Sequence, residues 1–122
     1  MTGSKRILVV DDDDDAAELL REILSSLGHR VEVANDGATA LKLAESFRPE
    51  IALLDIGMPI MDGCELASRL REHQSASSPL RLIAVTGYPG ELLSPADDFE
   101  THLVKPFDLK ELEKLIAQPA RG

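Results

Sequence analysis

Apolar residues in this chain recur with a strand-like and then a helix-like period, alternately, from one end to the other. That alternation is the strongest constraint on the fold. Strand, helix and strand in succession close by right-handed crossovers into a parallel sheet. Lys5 to Val10 reads as a buried strand, and Ala16, Leu20, Ile23, Leu24 and Leu27 follow at helical spacing until Gly28 ends the helix. Val31 to Ala34 is a second strand. Asn35-Asp36-Gly37 turns the chain into a helix with Ala40, Leu43, Ala44 and Phe47 on one face, and Arg48-Pro49 stops it. Ile51 to Leu54 is apolar on both faces, as a central strand covered by helices on each side must be.

The second half continues the pattern. A loop from Asp55 to Gly63 leads into a helix with Leu66, Ala67 and Leu70. Leu82 to Val85 and Thr101 to Val104 read as the fourth and fifth strands. Asp108 and Glu111 form a capping pair for a last helix carrying Leu109, Leu112, Leu115 and Ile116. Between those two strands, Tyr88-Pro89-Gly90 and Ser94-Pro95 leave space for one or two helical turns around Glu91 to Asp98, so the fourth helix is expected to be short or irregular. The chain is thus read as a single α/β domain over 5–118, with tails at 1–4 and 119–122.

Composition narrows the function. A chain of 122 residues buries a real core without disulfides, and with aromatics at 3% that core must be Leu, Ile, Val and Ala. The net charge of −9, with no basic stripe, argues against a nucleic-acid partner. No apolar run approaches the ~20 residues that span a bilayer. Met1 to Lys5 leads straight into a strand, so no secretory leader is expected, and the single cysteine, Cys64, fits a reducing compartment. The expectation is a cytoplasmic protein without membrane contact.

In a parallel sheet, ligands bind at the carboxyl ends of the strands. Asp11, Asp12, Asp55, Thr86 and Lys105 all fall there. Carboxylates gathered at one crevice repel unless a cation joins them. Oxygen donors without His or Cys favour magnesium, with manganese as the alternative, over zinc. Lys105 adds a second positive charge and Thr86 a hydroxyl. Cation, lysine and hydroxyl around one free carboxylate make a phosphoryl-transfer site whose product is an aspartyl phosphate. Other residues have plainer roles. Asp13, Asp14 and Asp15 are read as acids at a helix start, Asp62-Gly63 as a turn, Met58 and Cys64 as packing, and His29 and His73 as solvated helix-end residues.

Four stretches carry a family resemblance: Val9-Val10-Asp11-Asp12, Leu54-Asp55-Ile56-Gly57-Met58-Pro59-Ile60-Met61-Asp62-Gly63, Ala84-Val85-Thr86-Gly87 and Leu103-Val104-Lys105-Pro106. Together, in order and at the strand ends, they resemble the receiver domain of two-component response regulators, including those attached to hybrid histidine kinases. The resemblance implies a flavodoxin-like (CheY-like) doubly wound sheet of five parallel strands in the order 2-1-3-4-5, with helices on both faces. It implies that Asp55 accepts the phosphoryl group. Asp12 would ligate Mg2+ directly, Asp11 through water, and Gly57 through its backbone carbonyl. Thr86 would donate its hydroxyl to the phosphoryl group, Lys105 would pair with Asp55 or the phosphoryl oxygens, and Pro106 would follow a cis peptide bond. The implied partners are a histidine kinase or histidine phosphotransfer protein as donor, and a downstream protein whose binding changes on phosphorylation. The chain would catalyse only its own phosphorylation and slow dephosphorylation, either alone or as one domain of a longer protein. Two departures stand out. His102 occupies the position where receivers carry Tyr or Phe as a switch partner of Thr86, and the Thr86 to Lys105 segment is shorter than usual by nearly one helical turn.

Two other functions compete. A haloacid-dehalogenase-type phosphohydrolase would use Asp11 as nucleophile with Asp13 as its second acid and Asp97-Asp98 as late acids. That reading lacks a cap insertion, meets Asp15 where Thr or Val belongs, and leaves Asp55 and the Gly57 to Gly63 stretch unexplained. A receiver-like binding module with a degenerate output face is the other.

Overall fold

The computed structural model describes residues 4–55, 69, 70, 72, 80–86, 101–104 and 108–117, with residues 86, 101 and 102 described by their backbone alone. Five strands, β1 (Arg6–Val10), β2 (Arg30–Ala34), β3 (Ile51–Asp55), β4 (Arg81–Thr86) and β5 (Thr101–Val104), form one parallel sheet in the order β2-β1-β3-β4-β5. Three helices accompany it among the described residues: α1 (Asp14–Ser26), α2 (Gly37–Phe47) and α3 (Leu109–Ala117). This is the doubly wound flavodoxin-like order that the resemblance implied. The expected irregular fourth helix, and the 56–63 loop with Cys64 and His73 beyond it, lie outside the described residues.

The alternation of strand side chains builds two separate cores. On one face, Ile7, Val9, Ile51, Leu53, Ile83, Val85 and Leu103 pack with Ala17, Leu20 and Leu24 of α1 and with Leu112 and Ile116 of α3. On the other, Leu8, Val10, Ala52, Leu54 and Leu82 pack with Ala40 of α2 and with Leu70. Ile51 to Leu54 are therefore buried on both faces of the sheet, which is why that stretch of β3 is apolar. Each fully buried Leu or Ile adds about 1.5–3 kcal/mol in transfer free energy. Three details differ from the periodicity reading. Ala17 rather than Ala16 is the buried alanine of α1, Leu27 is exposed, and Leu109 is 46% exposed. Each lies within one residue of a helix end or of its neighbour on the wheel, where the apolar stripe drifts off the core.

The helix ends follow from local chemistry. Asp13 caps α1, its carboxylate accepting from the amides of Asp15 and Ala16 at 3.0 and 3.3 Å. Asp14 and Asp15 sit in the first turn, where the helix dipole favours acids. At the other end Gly28, with φ of 94°, donates to the Ser25 carbonyl at 3.0 Å while His29 donates to Leu24 at 3.2 Å. That is the Schellman arrangement, and a side chain at position 28 would be strained by the backbone angle alone. Asp36 caps α2 through the Thr39 amide at 2.7 Å, a bond that holds its carboxyl below the usual range. Asp108 accepts from the Glu111 amide at 2.8 Å, as the capping pair required.

The amino edge of the sheet is clasped by polar contacts that the sequence reading did not foresee. β4 begins at Arg81, one residue earlier than the apolar run, and Arg81 is only 5% exposed. Its guanidinium donates to the carbonyls of Leu115 at 2.7 Å and Ile116 at 3.4 Å, the last turn of α3. A buried cation is tolerated there because free helix carbonyls and the negative end of the dipole receive it. Nearby, Arg6 donates from its Nε to the Arg48 carbonyl at 2.8 Å and from its backbone to Glu50 Oε2 at 2.9 Å. His29, expected to be solvated, is half-buried instead, and its Nδ1 accepts from the Lys5 amide at 3.2 Å. Only the form with an unprotonated Nδ1 can accept. Burial and then the Lys5 charge hold the imidazole below its ordinary pKa of 6.5, with Glu50 acting in the opposite direction.

Two outcomes are expected. Arg81→Met, which keeps the aliphatic stem, should lower unfolding free energy in urea by about 1.5–3 kcal/mol, the range for a bond to a charged group. His29 binds protons less readily folded than unfolded, so its stabilising contribution is complete above pH 6.5 and is lost as pH falls from there. The urea midpoint of His29→Ala should accordingly lie below that of the natural chain at about pH 7.5 and approach it near about pH 5.

Candidate functional site

The carboxyl edge of the sheet is set by register. Val10 of β1 is level with Leu54 of β3 and with Ala34 of β2. The residues that follow, Asp11 and Asp12 on one strand and Asp55 on the other, therefore emerge side by side. One carboxylate oxygen from each of the three lies within 4.8 Å of the others. Asp11 is buried, Asp55 half-buried and Asp12 exposed, so the cluster is a notch open to water on one side.

Asp11 is fixed at several atoms. Its amide donates to the Ala34 carbonyl at 3.1 Å, and its Oδ1 accepts from the Asp13 amide at 2.9 Å. Asn35 Nδ2 lies 3.5 Å from the Asp11 carbonyl oxygen and also donates to Asp14 Oδ1. The turn from β1 into α1 is thereby locked, and Asp12 is carried at its outer corner. Asp13, the second acid of the hydrolase reading, spends its carboxylate on the amides of α1 and stands outside the cluster.

Thr86 ends β4, one residue beyond Val85, which is level with Asp55. Its backbone is thus at the same edge of the sheet, paired with Val104. His102 is level with Ala84, two residues inside that edge. Gly57, Lys105 and Pro106 lie outside the described residues, as do Asp97 and Asp98. Asn35 was read from sequence only as a turn former. The signal that it belongs to the site was available: it follows the end of β2 and so shares the carboxyl edge with the acids.

Three carboxylates so close together repel one another, and a cation between them lowers that cost. The donor set is all oxygen, two carboxylates from one strand end and one from its neighbour. It fits a hard divalent ion such as Mg2+ and leaves positions for water or a phosphoryl oxygen. Among the described residues no helix is long and apolar enough to cross a membrane.

The comparisons with known proteins agree with this geometry. The family model described as the response regulator receiver domain matches residues 7–117. The response regulator MprA of Mycobacterium ulcerans is 42% identical over 115 residues, which cover 89% of this chain and 47% of MprA. The regulatory protein AtoC of Escherichia coli is 32% identical over 116 residues, 95% of this chain and 25% of AtoC. The chain therefore spans half or less of those two relatives. Among solved structures, the signal receiver domain from Bermanella marisrubri superposes with a TM-score of 0.81 at 34% identity, covering 93% of this chain and 96% of that one. The response regulator TrrA of Thermotoga maritima, solved in complex with Mg(2+)-BeF, gives 0.78 at 34% identity over 92% and 96%.

The crowding of charge has a measurable consequence. In chelator, Asp12→Asn should raise unfolding free energy by about 1 kcal/mol, a repulsion at this separation discounted for solvent exposure. Added magnesium should stabilise the natural chain more than the variant, since that carboxylate would be one of its ligands in the folded state.

Proposed function

We propose, for a chain that belongs to the response regulator receiver domain family, that it takes a phosphoryl group onto Asp55 from a phosphohistidine donor and passes the change to a partner-binding surface. The donor would be a histidine kinase or a histidine phosphotransfer protein. The observation that carries the reading is the meeting of Asp11, Asp12 and Asp55 at one notch. Such a notch gives a phosphoryl group an attacking carboxylate and a place for a cation at the same point.

The transfer is a simple exchange. An Asp55 oxygen attacks phosphorus, the bond from phosphorus to the donor imidazole nitrogen breaks, and the imidazole leaves with its electron pair. Asp11 and Asp12, with Asp55 and the Gly57 carbonyl, would hold Mg2+, or Mn2+ in its place. When bound, the cation neutralises the acids and orients the phosphoryl oxygens. Thr86, at the edge of β4, would donate its hydroxyl to the phosphoryl group, and Lys105 would pair with its charge. Both would act on oxygens that gain charge during transfer.

The chain would serve as its own catalyst for gain and slow loss of phosphate and would not turn over an independent substrate. Phosphorylation adds charge at the notch and draws Thr86 towards it. A partner that prefers the drawn-in state then binds more tightly, by as much as its contacts differ between the two. His102, where relatives in the family carry an aromatic ring, would follow Thr86 and couple β5 to the change.

Incubation with magnesium and acetyl phosphate should add one phosphoryl group, located at Asp55 by mass spectrometry. Asp55→Asn should abolish it. Modification at Asp11, with rapid turnover of phosphate esters, would instead establish the hydrolase.

A further inference from the structure

The β2 end of the notch contributes a side chain to which the receiver chemistry gives no part. Asn35 directly follows Ala34, whose carbonyl already accepts the Asp11 amide at 3.1 Å. Its Nδ2 lies 3.5 Å from the Asp11 carbonyl oxygen and within hydrogen-bond distance of Asp14 Oδ1. A carbonyl and an ionised carboxylate are acceptors only, so the amide nitrogen of Asn35, not its oxygen, must face both. Asp11 is thereby gripped at its amide, its carbonyl and its Oδ1, the last by the Asp13 amide at 2.9 Å.

We propose that Asn35 is a positioning residue of the carboxylate notch, which fixes the Asp11 peptide and draws the Asp14 carboxylate aside. The inference rests on the cation-dependent receiver reading above. It answers a problem that the sequence poses. Five consecutive aspartates, Asp11 to Asp15, leave β1 and enter α1. Each needs a place if one geometry is to win. Asp13 is spent on the α1 amides. Asp14 stands in the first turn of α1, its Oδ1 accepting from Asn35 Nδ2. Released, its carboxylate offers a competing oxygen and adds a like charge beside Asp11 and Asp12. Held by Asn35, it leaves the ion one set of partners. Contacts that orient metal ligands typically change affinity by about 10–100-fold, and here, with the Asp11 contact 3.5 Å long and the Asp14 contact exposed, the effect belongs at or below the lower end.

The test uses the full chain and magnesium alone as the probe. Calorimetric titrations compare the natural chain, Asn35→Ala, Asp14→Ala and the double variant. Asn35→Ala should weaken Mg2+ binding by about three- to tenfold. Its thermal midpoint in chelator should stay within about 2 °C of the natural chain, because no core contact is lost. With Asp14 already replaced, the same Asn35 change should cost measurably less, since only its hold on the Asp11 peptide is then lost, the non-additivity expected of two groups acting through one bond. If the alanine variant unfolds, Asn35→Ser keeps one donor and should show the same pattern at smaller size.

Unchanged magnesium affinity in Asn35→Ala, with the natural chain binding normally, overturns the proposal. An equal loss with and without Asp14 overturns it too, because the tether to Asp14 would then be idle. If the natural chain neither binds magnesium nor gains phosphate, the receiver reading itself falls and takes this one with it.

Discussion

The parallel pairing of β1 with β3 is the constraint on which everything else depends. With Val10 level with Leu54, the next residue on each strand is an aspartate, and the notch exists. A slip of one residue would turn Asp55 away to the opposite face and separate the acids. What prevents the slip is the core. Ile7 and Val9 face α1 with Ile51 and Leu53, while Leu8 and Val10 face α2 with Ala52 and Leu54. Any change of register would exchange the two sets and leave each helix stripe against the wrong side chains. The electrostatic cost of gathering three carboxylates is thus borne by packing several ångströms away.

The two edges of the sheet divide the work. The amino edge holds the satisfied polar contacts: Arg81 on the end of α3, Arg6 between Glu50 and the Arg48 carbonyl, and His29 against the Lys5 amide. These tie helices and strand starts together. The carboxyl edge holds the cluster of Asp11, Asp12 and Asp55. Stability at one end and reactivity at the other follow from strand direction alone, since every strand of a parallel sheet points the same way. Arg81 shows the connection between the ends. It anchors α3 to the start of β4, and Thr86 closes the same strand at the reactive edge. A movement of Thr86 would therefore travel along an element whose other end is fixed to the last helix.

Much of this was legible from the residue order. The alternating periods gave five strands, their direction and the two-sided burial of Ile51 to Leu54. The punctuation of Asp13, Gly28, Asp36 and Asp108 gave the helix ends, because caps are set by bonds to neighbours a few positions away. Beyond Ala17, Leu27 and Leu109, what the periodicity missed was charged or polar and distant in sequence from its partner. An arginine at a strand start resembles a solvated residue until α3, some thirty residues on, is folded over it. A histidine just past a helix end likewise looks exposed until Lys5 is laid beside it. Asn35 reads as turn chemistry because its partners, Asp11 and Asp14, lie on another strand and helix.

By itself the sequence determined which side chains reach the carboxyl edge, since the strand ends are written in the change from apolar to acidic residues. It also pointed to the chemical kind of the site, because oxygen donors without nitrogen or sulfur favour a hard cation. The tertiary structure decided which acids meet. Of five consecutive aspartates only the first two join Asp55, because the helix amides take the third, Asn35 takes the fourth, and the fifth lies along the exposed first turn of α1. That selection rests on hydrogen bonds between segments distant along the chain, and these exist only once the sheet has set their distances.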